Sequence, residues 1–156
     1  MSTKENAFSS NKFKAKVINE PERKINTRQE RKVKEDLPKI LFSFKDFDVK
    51  QIPPGQNYEN WEEEKLLAYM LQKLGNICSL NIVEAQQQKV LRIYKNFPDD
   101  SDFKPPQHII KDVNWAVIMD IKGQKGRVAG HIIENVFYVV FLDKDHRFYI
   151  TGKKNT

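Results

Sequence analysis

A single cysteine, Cys78, stands in a chain of 156 residues, so no disulfide can close within it. A lone thiol fits a reducing compartment. At an apolar helix boundary it reads as a packing residue, because a reactive thiol needs an activating neighbour to hold it as thiolate. Long apolar runs are missing too. No uncharged apolar stretch approaches the roughly 20 residues of a membrane-spanning helix, and the opening M-S-T-K-E-N-A-F-S-S-N-K lacks the apolar core of a signal peptide. A cytoplasmic protein with no membrane partner is expected. The chain also lacks a glycine-rich phosphate loop, a dinucleotide fingerprint, zinc-ligand spacing and a nucleophile elbow. No cofactor and no metal are therefore expected.

What is present in excess is positive charge, and it is unevenly placed. The formal net charge is +6, with a pI near 9.3. Over residues 1–39, Lys and Arg outnumber Asp and Glu by 11 to 6, so this arm carries +5 of the +6. The arm has almost no periodic apolar pattern and cannot bury enough apolar surface to offset the entropy of ordering itself, so it is expected to be largely disordered alone. Lys12, Lys14, Lys16, Arg23, Lys24, Arg28, Arg31, Lys32 and Lys34 are candidate phosphate contacts that would hold RNA or DNA without reading its sequence. A solvated tail, or one that docks on a partner protein, accounts for them equally well.

From Ile40 onward the pattern is that of one domain, 40–156. I-L-F-S-F-K-D-F-D is partly alternating and aromatic, which predicts a strand, and Pro53-Pro54-Gly55 predicts a loop. Asn60-Trp61-Glu62-Glu63 has the form of a capping box, followed by Leu67, Met70, Leu71 and Leu74 at helical spacing with Gly75-Asn76 as a stop. The glutamates of that first turn suit the positive end of the helix dipole better than a metal cluster. Asn81-Ile82-Val83-Glu84 repeats the capping pattern, and Val83, Val90, Ile93 and Tyr94 predict a second helix from about Ile82 to Lys95. The short connection predicts a helical hairpin. F-P-D-D-S-D-F-K-P-P then excludes regular structure, with His108 as a loop side chain.

The last third reads as four short apolar segments, Trp115–Ile121, Arg127–Ile133, Val136–Leu142 and His146–Ile150, separated by turn chemistry. Short connections predict antiparallel neighbours. The fold class expected is therefore α+β: an N-terminal strand, an α-helical hairpin and a C-terminal four-stranded antiparallel meander. Asp143, Asp145 and His146 could cluster on a metal, but Asp-x-Asp at a hairpin is ordinary turn chemistry.

This element order, together with R-V-A-G-H-I-I-E-N-V-F-Y-V-V-F-L-D-K-D-H-R-F-Y, resembles the RelE/ParE superfamily of bacterial toxins over roughly residues 40–150. The resemblance implies a small basic toxin of a toxin-antitoxin or mobile-element system, mostly acting on ribosome-associated RNA and held by an antitoxin. It places Arg127, His146, Arg147 and Tyr149 where such toxins carry basic and aromatic residues on the concave sheet face. Cleavage of RNA by its own 2′-hydroxyl needs a base, an acid and cations on the phosphate. His146 or His131 could move the proton, Arg127, Arg147, Lys122 and Lys125 could hold phosphate, and Tyr149 could stack a base or donate a proton. His131 in an apolar strand also fits a hydrogen-bonded core residue. Arg127 and Arg147 could simply pair with Asp120 or Asp145. The competing expectation is a non-catalytic accessory protein that binds nucleic acid or a partner through its basic arm.

Overall fold

The computed structural model describes residues 36–109 and 112–150. By its contacts the chain divides into two units, Met1–Leu37 and Pro38–Thr156. The arm residues from Lys12 to Lys34 lie outside the described residues. The second unit is α+β, as its sequence pattern predicts, and its elements run β1 (Leu41–Ser43), α1 (Tyr58–Glu63), α2 (Leu67–Ile77), α3 (Ile82–Gln87), β2 (Leu91–Lys95), β3 (Asn114–Ile118), β4 (Arg127–Ile133) and β5 (Val136–Asp143).

The helical region departs from the expected hairpin at three points, each with a local cause. Asn57, not Asn60, caps α1: its side chain accepts from the Asn60 amide at 2.7 Å, and the Asn60 side chain returns the bond at 3.0 Å. An amide oxygen at that third position serves the box as well as a carboxylate. The expected single helix then breaks at Lys65, whose φ of +61° ends α1. Trp61 and Leu66 are both buried. In an unbroken helix, side chains five residues apart would point about 140° away from each other, so the break lets both reach the core. The third departure is the largest. Asn81 and Glu84 close the expected capping box of α3, but Lys89, again at φ +61°, stops the helix early. Residues 91–95 are strand, not helix. Leu91 is buried, Arg92 exposed and Ile93 half-buried, and pairing with β3 overrides the helical spacing that the same residues also satisfy.

The five strands form one mixed sheet in the order β1-β5-β4-β3-β2, with β1 parallel to β5 and the other neighbours antiparallel. Three successive strands, β3 to β5, make the meander. The fourth antiparallel member is β2, and residues 146–150 are not a strand. One core, built on Trp61, Leu66, Met70, Leu74, Ile77, Ile118, Val128 and Phe137, lies between the helices and one sheet face. The opposite face carries a second, largely aromatic core of Phe103, Trp115, Phe141 and Phe148, with Phe97 packed against it.

Gly130 sits at the irregularity where β4 pairs with β5. A Cβ built there would run into the Tyr138 carbonyl and the Phe137 ring, both in the wall of the sheet. Gly75 in α2 is its opposite, with nothing within 4 Å of an added Cβ. Gly130→Ala is expected to lower stability by about 3 kcal/mol through overpacking, whereas Gly75→Ala is expected to raise it by up to about 1 kcal/mol through helix propensity. Urea denaturation of the two variants checks this, and an unchanged midpoint for Gly130→Ala contradicts the register described.

Candidate functional site

The end of the sheet near Arg127 is organised by the carboxylate of Asp143. It closes β5, has no exposed surface, and accepts from the backbone amides of Arg147 and Phe148, each at 2.8 Å. Those are amides that a strand over residues 146–150 would have offered to a neighbour. The chain therefore curls: His146 takes φ +58°, and Phe148 is carried into the aromatic core at 0% exposure. Burial pushes the Asp143 carboxyl above its ordinary value, against the two amides and the positive charges of His146 and Arg127.

Around this turn four of the five expected catalytic residues come together. Arg127 opens β4 opposite Asp143, and its Nη1 donates to the Tyr149 carbonyl at 3.4 Å. The Tyr149 ring stacks on Tyr94 of β2, with centroids 4.4 Å apart and planes 18° from parallel. The Tyr94 hydroxyl and Arg127 Nε are both buried with no hydrogen-bond partner. Arg147 pairs with neither Asp120 nor Asp145: its Nε donates to Asp102 at 2.8 Å, which raises its pKa further. Tyr94 went unread in the sequence because its residues carry a helical spacing.

Lys122 and Lys125 sit on a tight hairpin whose backbones bond reciprocally, at 3.0 and 2.9 Å. They share a cleft of about 150 Å³ with Glu64, Leu66, Lys144 and Asp145. The Lys122 ammonium lies 4.9 Å from the ring centroid of Tyr69 on α2. Two basic turns thus meet at one end of the sheet.

His131 is elsewhere. It lies on β4 four residues beyond Arg127, about 13 Å along an extended strand, and is 3% exposed. Its Nε2 meets Asp46 Oδ2 at 3.1 Å; an ionised carboxylate only accepts, so Nε2 carries the proton and Nδ1 is left as a buried acceptor without a donor. The ring stacks on Tyr138 and meets the edge of Trp115. Asp46 also takes Lys45 at 3.0 Å, and its carbonyl bonds His108 Nε2 at 3.2 Å. This cluster fastens the loop after β1 to the sheet.

The sheet face between these two ends is filled. Phe103 lies 4.3 Å from Phe141, and Phe97 5.1 Å from Phe148, centroid to centroid. Arg127, His146 and Tyr149 accordingly stand at the rim of a covered face, not on an open concave one. Among the described residues no group of three or more His, Cys, Asp or Glu could hold a metal ion, and no helix is long and apolar enough to cross a membrane. Comparison with protein-family models, with curated proteins and with solved structures gives no match.

The histidine cluster imposes a pH dependence. Burial holds His131 below the ordinary imidazole value of 6.5, against the pull of Asp46. A histidine with a depressed folded pKa binds its proton more readily when unfolded, so stability falls as pH drops through 6.5 towards the folded value. Asp46 feels burial upward, but bonds from Lys45 and His131 outweigh it and leave the carboxyl below 3.8. Its contribution is present above that value and is lost only in stronger acid. Asp143, raised above 3.8, has the opposite sign: its protonation on acidification favours the folded state. The urea midpoint is expected to fall between about pH 7.5 and 5.5, and His131→Gln to flatten that fall while lowering the midpoint at the upper pH. A wild-type midpoint constant across the interval overturns the assignment.

Proposed function

We propose that this chain is a RelE/ParE-like, toxin-type protein directed at RNA, working at the Arg127 end of the sheet as a metal-independent endoribonuclease or as a translation inhibitor. The observation that carries the reading is that two basic turns stand at one end of the sheet: Lys122, Lys125 and Lys144 line one cleft, and Arg127 donates to the Tyr149 carbonyl beside the aromatic core. Lysine and arginine at one edge provide for phosphate contact. The ribose 2′-hydroxyl is an internal nucleophile, so a cation, a base and an acid suffice for cleavage. Arg127, held at the edge of the sheet by its bond to the Tyr149 carbonyl, is the cation for the phosphorane-like charge. His146 takes the proton of the 2′-hydroxyl as it attacks phosphorus, and the Tyr149 hydroxyl gives a proton to the 5′-oxygen as its bond to phosphorus breaks. The basic arm adds unspecific hold on RNA or the ribosome, and an antitoxin is the partner implied.

A second reading has an observation of its own. Among the described residues no hydrogen bond to the His146 ring is found, and Arg147 is engaged by Asp102. An imidazole with no group to orient it is a weak general base. That favours a non-catalytic accessory protein which binds RNA or a partner, chiefly through residues 1–39.

Induced expression in a bacterial host separates the two. The toxin reading expects growth arrest by wild type and by a chain lacking residues 1–39, with arrest abolished and RNA cleavage reduced at least about 100-fold by Arg127→Gln/His146→Ala in a protein of unchanged circular dichroism. Arrest that needs the arm and ignores the double substitution supports the accessory protein, and no arrest by any form sinks the toxin.

A further inference from the structure

We infer that Tyr69 is a base-stacking residue, and that the lysine-bearing end of the sheet accepts single-stranded RNA in preference to duplex; this rests on the RNA-directed reading above. Tyr69 lies on α2 beside the buried stripe of Met70, Leu74 and Ile77. It remains 44% exposed, an aromatic ring outside the core on the same helix that buries those three. Its described ring contact is the Lys122 ammonium, 4.9 Å from the centroid. That cation stands on a two-residue hairpin locked by reciprocal backbone bonds, which fixes the backbone from which the lysine reaches the ring.

The surroundings say which polymer suits the ring. Leu66, three residues before Tyr69 and so on a neighbouring part of the same helical surface, lines the cleft with Lys122, Lys125 and Lys144. A base resting on Tyr69 therefore has cations beside it for the flanking phosphates. The same cleft contains Glu64 and Asp145, and Lys144 already pairs with Asp145 at 3.5 Å. Three cations against two carboxylates leave little net attraction for phosphate alone, so affinity at this edge must draw on the ring. Bases inside a duplex are stacked on each other and cannot present a face to a side chain; an unpaired base can. Other exposed aromatics do not offer this combination: Tyr58 stacks on Phe47 and lies near Phe44.

The test is binding of a fluorescein-labelled oligouridine and of an RNA duplex of equal length to the full chain, as wild type, Tyr69→Ala, Tyr69→Phe, Tyr69→Trp and Lys122→Gln/Lys125→Gln. The arm is common to all and cancels in the comparison. Expected are tighter binding of the single strand than of the duplex, roughly tenfold weaker single-strand binding by Tyr69→Ala, and binding within about twofold of wild type for the Phe and Trp variants, which keep a stacking face. Trp61 and Trp115 are 0% and 4% exposed, so the indole introduced by Tyr69→Trp reports at the surface, and stacking is expected to quench it. Wild-type affinity in Tyr69→Ala, an unquenched indole at saturation, or equal affinity for the duplex overturns the inference. If binding survives Tyr69→Ala but falls in the double lysine variant, the RNA-directed reading stands without it. If wild type binds neither RNA, both fall.

Discussion

A carboxylate shut off from solvent dictates the shape of the Arg127 end of the sheet. Asp143 is buried at the close of β5 and carries two backbone amides, of Arg147 and Phe148, on its oxygens. An unpaired carboxylate in that position would be costly, and the two amides are what make it tolerable. In meeting that need the chain turns back on itself, Phe148 enters the aromatic core, Arg147 is delivered to Asp102, and Tyr149 settles over Tyr94. A fourth strand in the meander would have to release those amides. The outer edge of β5 is instead taken by β1, running parallel to it, while β2 covers β3 at the other edge of the sheet.

The same end of the sheet is tied to the helices by a second buried polar group. Gln56, 7% exposed, accepts from the indole of Trp61 at 3.0 Å and from the Lys144 amide at 2.7 Å on one side-chain oxygen, while its backbone N–H donates to the Leu142 carbonyl. The start of α1 and the exit from β5 are thus held by one side chain. The turn bearing Lys144 and His146 is therefore anchored on both sides, at Gln56 and at Asp143. Whatever ligand this end accepts meets cations on a rigid frame, which reduces the entropy lost on binding.

Fold class was legible because it depends on strong, repeated signals: the capping pair Asn81 and Glu84, the apolar run from Val136 to Leu142, and the turn at Lys122–Gly126 all do what their chemistry suggests. The misread segments are those in which two periodicities coincide. Val90, Ile93 and Tyr94 satisfy a helical face, yet Leu91 and Ile93 also alternate with Arg92, and a free edge of β3 decides between them. The segment from His146 to Tyr149 looks like a strand by composition; its fate turns on a carboxylate three to six residues earlier, a local side-chain to backbone bond that apolar periodicity does not register. Within the candidate site, proximity was legible where it follows from the hairpins, as for Arg127 and the β5 exit. It was missed where proximity is long-range, as for Tyr94 and Tyr69, which reach this end from β2 and α2.

The distribution of charge then says how such a site must operate. Residues 40–156 hold 16 basic and 15 acidic residues, so this part of the chain has almost no net charge to draw in a polyanion from a distance, and screening confines what field there is to about 8–10 Å. Attraction has to be local. At the Arg127 end Lys122, Lys125 and Lys144 share one cleft, while at the opposite end Asp46 engages Lys45 and accepts from His131. The sheet face between is closed by Phe97, Phe103 and Phe148. The proposed site is therefore a rim and two turns, with the Tyr69 ring next to Lys122 on one side and Tyr149, whose carbonyl accepts from Arg127, on the other. That geometry favours an extended strand laid across the end of the sheet over a compact molecule sunk into its face.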